Sequence, residues 1–229
     1  KTKAGAAQSL SRLTWLQTIS YLRRIKSPNM DTSTAKITSI RQINNVQAFF
    51  VCNVETPEGQ PIGTAKSLSM MATITPRLES QTQLIDSLIK EHPKLKHPFS
   101  VNPEDINNMI KVFHNGSWKG VLDINEGYSF FENLKKMRRE SKINKFVTIT
   151  LDYFEKDLYI YTEAGRLIRP LLVVKDNNIP LSKAIVNDIK KELTGENKSS
   201  GWNKILLKYP ELVDYEDIES SRHLMFAMD

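Results

Sequence analysis

The sequence predicts an α+β fold, with mixed helices and short antiparallel sheets in two units, residues 1–74 and 75–229. Segments with helical periodicity alternate with short runs rich in Val, Ile, Leu and Tyr, a pattern typical of helices mixed with strands. Hydrophobic residues make up 40% of the chain and charged residues 25%, as in ordinary globular proteins. The composition of the sequence becomes more polar near Thr75-Pro76, and we place the boundary between the units there.

Helices are predicted where apolar residues recur on one side without Gly or Pro. The first covers residues 7–25, and Ser27-Pro28-Asn29 is expected to end it, because a residue before proline avoids the α region. Its apolar residues, three apart, predict a broad buried face: Leu10, Leu13, Leu16, Ile19 and Leu22. Further helices are predicted over residues 81–91, 125–140, 181–193 and 202–208.

Strands are predicted from short apolar runs between turn residues. Residues 48–54 suit a buried strand, and residues 55–60 a turn in which proline presets φ and glycine allows positive φ. Residues 61–75 fit a buried strand or a helix. Asn115-Gly116 predicts a type I′ hairpin within residues 111–121. The remaining predicted strands are residues 146–151, 158–161, 167–174 and 223–227.

Composition excludes some classes of site. The only cysteine, Cys52, rules out a disulfide within the chain and a Cys-based zinc site, and we expect it to be a small buried side chain. The four histidines lack metal-ligand spacing with acidic residues, and His114 is expected to be a surface or cross-strand side chain, so no metal site is predicted. The apolar runs are too short for a membrane span. Because the N-terminus has no apolar signal core and the chain has one cysteine, a reducing, intracellular setting fits best. Because the first residue is not Met, we expect a piece of a longer protein.

The formal net charge of +6 permits contact with phosphate, but it fits equally well a basic protein without a polyanion partner. The chain has no phosphate-binding loop, dinucleotide glycine fingerprint or nucleophile elbow. The basic residues of Lys135 to Arg139 near a predicted helix end are explained by the helix dipole, with phosphate contact as the alternative. No catalytic residue is predicted from these patterns.

A few polar residues remain as candidates, each with a plain alternative. Arg23 and Arg24 close the predicted first helix, where guanidinium groups suit phosphate or simply complement the helix dipole. Glu58, on the Pro-Glu-Gly turn, is placed to orient a neighbouring cation or is a solvated carboxylate. Gln60 can bond to a nucleic-acid backbone or a neighbouring loop. Arg41 is a phosphate candidate or a partner in a surface salt bridge.

Several of these residues belong to one ordered series of motifs: Ala4-Gly5, Gln8, Arg12 to Thr14, Leu22 to Arg24, Arg41-Gln42, Cys52, Glu55 to Gln60, Gly63 and Lys66 to Leu68. The series resembles the fork region of the second-largest subunit of multi-subunit DNA-dependent RNA polymerases. In that family a helix ending in Leu-Arg-Arg runs into a fork loop, and a strand then leads to Cys-Pro-x-Glu-Thr-Pro-Glu-Gly-Gln. Asn53 departs from the pattern, since the family usually has proline there, and a looser turn is expected.

The resemblance continues through the second unit, which is similar to the family's external domain. The matching landmarks are Asn115 to Val121, Leu134 to Arg139, Ile143-Asn144, Thr162 to Leu171, Glu211 to Asp217 and Met225 to Met228. The similarity is closer to the eukaryotic and viral subunits than to the bacterial ones, and a large cytoplasmic DNA virus is the expected source.

The resemblance implies a role in transcription. The chain is expected to be a fragment that helps position template, RNA–DNA hybrid and incoming nucleotide, and to be inactive alone. Arg24 and Glu58 are expected to lie together and support the active-site geometry. The implied nucleic-acid-binding residues are Arg23, Arg24, Arg41, Gln60 and Gln8. The resemblance also implies that the catalytic Mg²⁺ is held by an aspartate cluster of the largest subunit, outside this chain.

The implied partners are the largest and other polymerase subunits, the DNA template and the RNA–DNA hybrid, with no membrane. The implied location is the nucleus, or host cytoplasm and virion for a viral enzyme. The polar loop 29–39 resembles the fork loop, and we expect it to limit duplex entry. The alternative is a free-standing nucleic-acid-binding or assembly module, whose reading frame would stop near residues 1 and 229.

Overall fold

The computed structural model describes residues 9–26, 38–174, 177–194 and 201–222. The chain divides into two units, Lys1–Thr73 (unit 1) and Ile74–Asp229 (unit 2). The naming of the two predicted units as fork-like and external-domain-like stays a prediction. Gln8, residues 29–37 of the predicted loop and the predicted strand 223–227 lie outside the described residues.

The helices of the described ranges belong to both units, and most lie in unit 2. They are α1 (Trp15–Leu22), α2 (Glu79–Lys90), α3 (Pro103–Ile106), α4 (Ile124–Arg139), α5 (Lys183–Thr194), α6 (Gly201–Lys208) and α7 (Ile218–Ser221). The helices predicted in unit 2 are confirmed as α2, α4, α5 and α6, with ends displaced by one or two residues. The short helices α3 and α7 were not predicted, because each is a single turn without a periodic apolar pattern.

The first helix is much shorter than predicted. Thr14 caps α1, because its hydroxyl oxygen accepts a hydrogen bond from the Gln17 N–H at 3.1 Å. The helix ends at Leu22, before the expected Ser-Pro stop, and Arg24 begins a strand. None of the residues of α1 is buried, and Trp15 is 79% exposed. The predicted broad buried face is therefore wrong for this chain.

The strands of the described ranges form small sheets. They are β1 (Arg24–Lys26), β2 (Ala65–Ser67), β3 (Thr73–Ile74), β4 (Met109–His114), β5 (Ser117–Asp123), β6 (Thr148–Asp152), β7 (Asp157–Tyr161), β8 (Leu167–Leu172) and β9 (Val213–Asp217). In unit 1, β1 and β2 pair antiparallel. Unit 2 contains a four-stranded sheet of order β5-β4-β7-β6, and a three-stranded sheet has the order β3-β8-β9. The predicted α+β class is confirmed, although β4 and β7 run parallel.

The hairpin between β4 and β5 is confirmed. Asn115 and Gly116 have φ values of 48° and 77°, as a type I′ turn requires at both central residues. The Asn-Gly pair is sufficient to predict this turn. In the fold the turn is also held by hydrogen bonds between the Asn115 side chain and Thr162, both at 2.8 Å.

The strand predicted over residues 48–54 is wrong. Only isolated bridges join Ala48 to Val51 and Val51 to Leu68. Phe49 has a φ of 69°, in the left-handed region, which breaks an extended run. The apolar side chains of this segment still contribute to packing, because Phe50 and Val51 are buried. The ambiguous residues 61–75 contain the short strands β2 and β3.

The main hydrophobic core lies in unit 2, between one face of the four-stranded sheet and the helices α2 and α4. Its fully or nearly fully buried side chains include Ile85, Ile89, Ile110, Phe131, Leu134 and Leu158. Alternate residues of β4 and β7 point into it, as the period of a strand requires. Unit 2 is thus built around its own apolar centre.

Candidate nucleic-acid interface

The Arg23 side chain joins the end of α1 to the segment after β2. Its Nη2 donates hydrogen bonds to the carbonyl oxygens of Ser69 at 2.6 Å and Ala72 at 2.7 Å. Its backbone N–H closes α1 by donating to the Ile19 and Ser20 carbonyls. The sequence placed this guanidinium at a helix end, but not its bonds to carbonyls more than forty residues away. Its contact with nucleic acid stays a prediction.

Arg24 is held differently from its neighbour. It is the first residue of β1 and pairs with Ser67 of β2. Its guanidinium carbon lies 4.4 Å from the centroid of the Tyr21 ring, a cation–π contact that orients a half-buried charge. The side chain is therefore fixed by one turn of α1 and by the sheet.

The turn that carries Glu58 is ordered by glycines and a threonine. It begins at Glu58 and runs to Thr64, with φ values of 78° at Gly59 and 73° at Gly63. The Thr56 hydroxyl accepts from the Gly63 N–H at 2.8 Å and donates to the Ala65 carbonyl at 3.3 Å. This threonine ties the turn to β2, and the side chains of Glu58 and Gln60 are left exposed.

Arg41 and Gln60 are brought together, through the backbone of Gln60. The Arg41 Nη1 donates to the carbonyl oxygens of Gln60 at 2.6 Å and Ile62 at 2.9 Å. At Gly63 a Cβ atom would lie 2.2 Å from the Arg41 carbonyl oxygen, so the two backbones touch. The segment around Arg41 therefore packs directly on the turn.

Arg24 and Glu58 are connected only indirectly. Among the described residues, no hydrogen bond or ion pair joins their side chains. Their segments meet through β2, which pairs with Arg24 and accepts the Thr56 hydrogen bond. A second link is the hydrogen bond from the Ser20 hydroxyl to the Glu55 carboxylate. Whether Arg24 and Glu58 act together stays a prediction.

Unit 1 also contains an open cavity of about 430 Å³ beside the turn. Its lining includes Arg41, Asn45, Cys52, Glu55, Thr56 and Lys66. Cys52 is half-buried rather than buried, and Lys66 donates to the Gln42 carbonyl at 3.0 Å. Sequence reasoning gave no role to Ser20 or Thr56. Thr56 stands inside the quoted motif, whereas nothing local marks Ser20 for a contact thirty-five residues away.

In unit 2 the polar residues serve the fold. His114, expected at the surface or across a strand, is 2% exposed. Its Nδ1 lies 2.9 Å from the Asp86 carboxylate and its Nε2 3.3 Å from the Thr162 hydroxyl. Burial raises the pKa of Asp86, but hydrogen bonds from His114 and Lys119 outweigh it, and the pKa lies below its ordinary value. Of the two expected positions for His114, the surface one is wrong because the ring is buried beside distant partners, whereas the cross-strand one is confirmed, since His114 pairs with Ser117 of β5 and Ile160 of β7.

Most of the basic side chains at the end of α4 form ion pairs with carboxylates. The buried Arg138 donates to Asp214 at 2.9 Å and to Glu216 at 2.7 Å, and Arg139 also binds Asp214. Burial lowers the pKa of Lys135. The run therefore joins α4 to β9, which neither the helix-dipole interpretation nor the phosphate alternative anticipated.

Two negative findings apply to the described ranges. Within them no group of three or more His, Cys, Asp or Glu side chains is arranged to hold a metal ion. Among the helices described, none combines the length and apolar character that crossing a membrane requires.

The chain is similar in sequence to a known class of protein, the large subunits of RNA polymerase. Residues 8–74 match the family model "RNA polymerase Rpb2, domain 3", and residues 112–175 match "RNA polymerase Rpb2, domain 4". The chain belongs to the family of second-largest subunits of DNA-directed RNA polymerases, of the eukaryotic and viral type.

Individual relatives agree with both family models. The chain is 35% identical over 230 residues to DNA-directed RNA polymerase subunit 2 of Acanthamoeba polyphaga mimivirus, an alignment covering 100% of the chain and 18% of that protein. It is 33% identical over 229 residues to DNA-directed RNA polymerase II subunit RPB2 of Encephalitozoon cuniculi, covering 100% of the chain and 19% of that protein. The corresponding Arabidopsis thaliana subunit is 32% identical over 99% of the chain and 18% of its own length. The chain spans about a fifth of the length of these curated relatives.

Proposed function

We propose that this chain is part of the second-largest subunit of a DNA-dependent RNA polymerase, and that it helps position template, RNA–DNA hybrid and incoming nucleotide. The observation that carries the proposal is the turn from Glu58 to Thr64, which Thr56 ties to the β1–β2 pair in a chain whose relatives are RNA polymerase subunits. The turn displays exposed polar side chains on an ordered backbone, as a positioning surface requires.

Nucleotidyl transfer requires metal ions, positioning and charge neutralisation more than covalent work by protein groups. We assign the catalytic Mg²⁺, which would neutralise phosphate charge, to the largest subunit. This chain then contributes positioning only. Without the partner subunit it is expected to be inactive in RNA synthesis.

We propose a role for each of the candidate residues. Arg24, oriented by the Tyr21 ring, faces phosphate with a guanidinium that matches its oxygens. Glu58 orients a cation from another part of the polymerase, and the Gln60 side chain bonds to the nucleic-acid backbone. Arg23 and Gln8 are proposed as further contacts, Arg23 with a side chain that also bonds to carbonyls.

The proposed partners are the largest and other polymerase subunits, the DNA template and the RNA–DNA hybrid, without a membrane. The proposed setting is intracellular, in the nucleus or, for a viral enzyme, in the host cytoplasm and virion. The relatives that support this setting come from a virus and from eukaryotes.

The proposal is tested in the assembled polymerase with Glu58→Gln, which keeps the size of the side chain and removes its charge. We expect the rate of single-nucleotide addition to fall at least ~10-fold, which corresponds to ~1.4 kcal/mol of transition-state stabilisation. Rapid-quench measurement of the addition rate and of the apparent nucleotide affinity gives the answer.

The control is Glu104→Gln, which changes an exposed carboxylate on α3 of unit 2. It should leave nucleotide addition unchanged. If Glu58→Gln also leaves the rate, the nucleotide affinity and the lifetime of the elongation complex unchanged, the positioning function is wrong.

A further inference from the structure

We propose that Arg41 is a positioning residue that fixes the turn carrying Glu58, and that it makes no contact with phosphate. This inference rests on the proposed function, because it concerns how the same turn is held. It replaces the role of phosphate ligand that the sequence suggested for this arginine.

The first observation is the bonding of the guanidinium group. A single nitrogen of Arg41 donates to two backbone carbonyls of the turn, those of Gln60 at 2.6 Å and Ile62 at 2.9 Å. Hydrogen bonds from an ionised donor are roughly twice as strong as neutral ones. Because the two acceptors are two residues apart, both bonds together set the curvature of the backbone between them.

The second observation is independent of that side chain. The backbone of Arg41 touches Gly63, where a Cβ atom would lie 2.2 Å from the Arg41 carbonyl oxygen and where φ is +73°. The next residue, Gln42, accepts a hydrogen bond at its carbonyl from Lys66 at 3.0 Å. Side chain, backbone and neighbouring carbonyl therefore hold the segment of Arg41 against one stretch of chain, residues 60–66.

The two candidate arginines therefore have different roles. The guanidinium of Arg24 lies against a tyrosine ring, whereas that of Arg41 donates two hydrogen bonds to the backbone of the turn. Moving Arg41 to a phosphate would release the Gln60 and Ile62 carbonyls and loosen the turn. Glu58, exposed near the start of the turn, would then lose its fixed position.

The test uses the assembled polymerase with Arg41→Met, which keeps an aliphatic stem and removes the donors. The first measurement is hydrogen exchange at the turn, where the amides of Ile62 and Thr64 donate to carbonyls of the turn and the amide of Gly63 donates to the Thr56 hydroxyl. Positioning predicts exchange at least ~10-fold faster there, since local opening becomes easier. Unchanged exchange would overturn the inference.

The second measurement is the salt dependence of elongation-complex dissociation. Losing one phosphate contact lowers the slope of log K against log salt by about 0.9 on duplex DNA. Positioning predicts an unchanged slope, and a fall by about that amount would identify Arg41 as a phosphate contact. Arg77→Ala, at an exposed arginine of unit 2, is the control for loss of positive charge.

The third measurement is a double-mutant cycle with Glu58→Gln. If Arg41 acts through the turn, the double variant adds nucleotides no more than about twofold slower than Glu58→Gln alone, because interacting residues are non-additive. Fully additive losses in the rate of nucleotide addition count against the inference.

If Glu58→Gln alone has no effect, the proposed function fails, whereas the hydrogen exchange and the salt slope still decide the role of Arg41. Arg41→Gln is judged by the same exchange and salt criteria if Arg41→Met does not assemble.

Discussion

Buried ion pairs illustrate how much a single residue contributes to unit 2. Arg138 is 3% exposed, and its guanidinium binds the carboxylates of both Asp214 and Glu216. Burial raises the pKa of Asp214, but the charges of Arg138 and Arg139 outweigh it, so the pKa lies below its ordinary value. Removing one partner of such a cluster leaves a buried charge without compensation, which costs about 3–5 kcal/mol.

We therefore expect Asp214→Asn to lower the free energy of unfolding by about 3–5 kcal/mol at neutral pH. Because the folded-state pKa is depressed, this contribution is complete above the unfolded-state pKa of about 3.9 and is lost as pH falls through the folded-state value. Urea unfolding at neutral pH and at about pH 3 should give a smaller difference between variant and wild type in acid.

The control for that experiment is Asp105→Asn, at an exposed carboxylate on α3. A difference between Asp214→Asn and wild type that stays equal at both pH values would contradict the assigned ion pairs. The sequence could not predict these pairs, because Arg138 and Asp214 are seventy-six residues apart.

At the scale of elements, local chemistry predicted some features and tertiary contacts overruled others. The Asn115-Gly116 hairpin is confirmed because the residue pair itself selects the turn. The long first helix is wrong at both ends, because Thr14 caps α1 well inside the predicted helix and β2 pairs with residues 24–26, taking them into a sheet. Helix propensity is a weak preference, and strand pairing at a distance outweighs it.

Close packing of α4 on β4 gives a prediction with two opposing effects. At Gly127 a Cβ atom would lie 2.5 Å from Cδ1 and 2.8 Å from Cβ of Ile110. Alanine favours a helix over glycine by roughly 0.5–1 kcal/mol, whereas overpacking a core costs about 1–3 kcal/mol. We expect Gly127→Ala to destabilise the chain by a net ~1–2 kcal/mol in urea unfolding.

Ser129→Ala on the same helix is the matched comparison, since Ser129 is exposed and bonds only within α4. Its effect should stay within about 0.5 kcal/mol. A Gly127→Ala variant more stable than wild type would mean that helix propensity prevails and that α4 can move away from the sheet.

At the scale of the whole molecule, the chain spans about a fifth of its relatives' length and carries a net charge of +6. If most phosphate contacts need the complete polymerase cleft, the chain alone should bind an RNA–DNA hybrid weakly. Affinity that depends on few phosphate contacts falls with salt through counterion release, by about tenfold between about 50 and about 200 mM for two contacts.

Fluorescence anisotropy with a labelled hybrid tests this expectation, and a primer-extension assay tests the expected absence of RNA synthesis by the chain alone. The control in the binding assay is Lys142→Gln, on the exposed surface of unit 2, which lowers the net charge without removing a proposed contact. Tight binding of the hybrid that does not change with salt concentration would contradict the idea that other subunits complete the interface.

By itself the sequence determined the α+β class, the helices α2, α4, α5 and α6, the hairpin and the family. These features are predicted from periodicity, turn chemistry and motifs, which involve residues that are close together in the sequence. Only the tertiary structure decided that Arg41 binds carbonyls of the turn, that Arg23 reaches Ser69, and that His114 is buried beside Asp86. Those contacts join residues nineteen to forty-six positions apart, and local propensities carry no information about which distant groups folding brings within bonding distance.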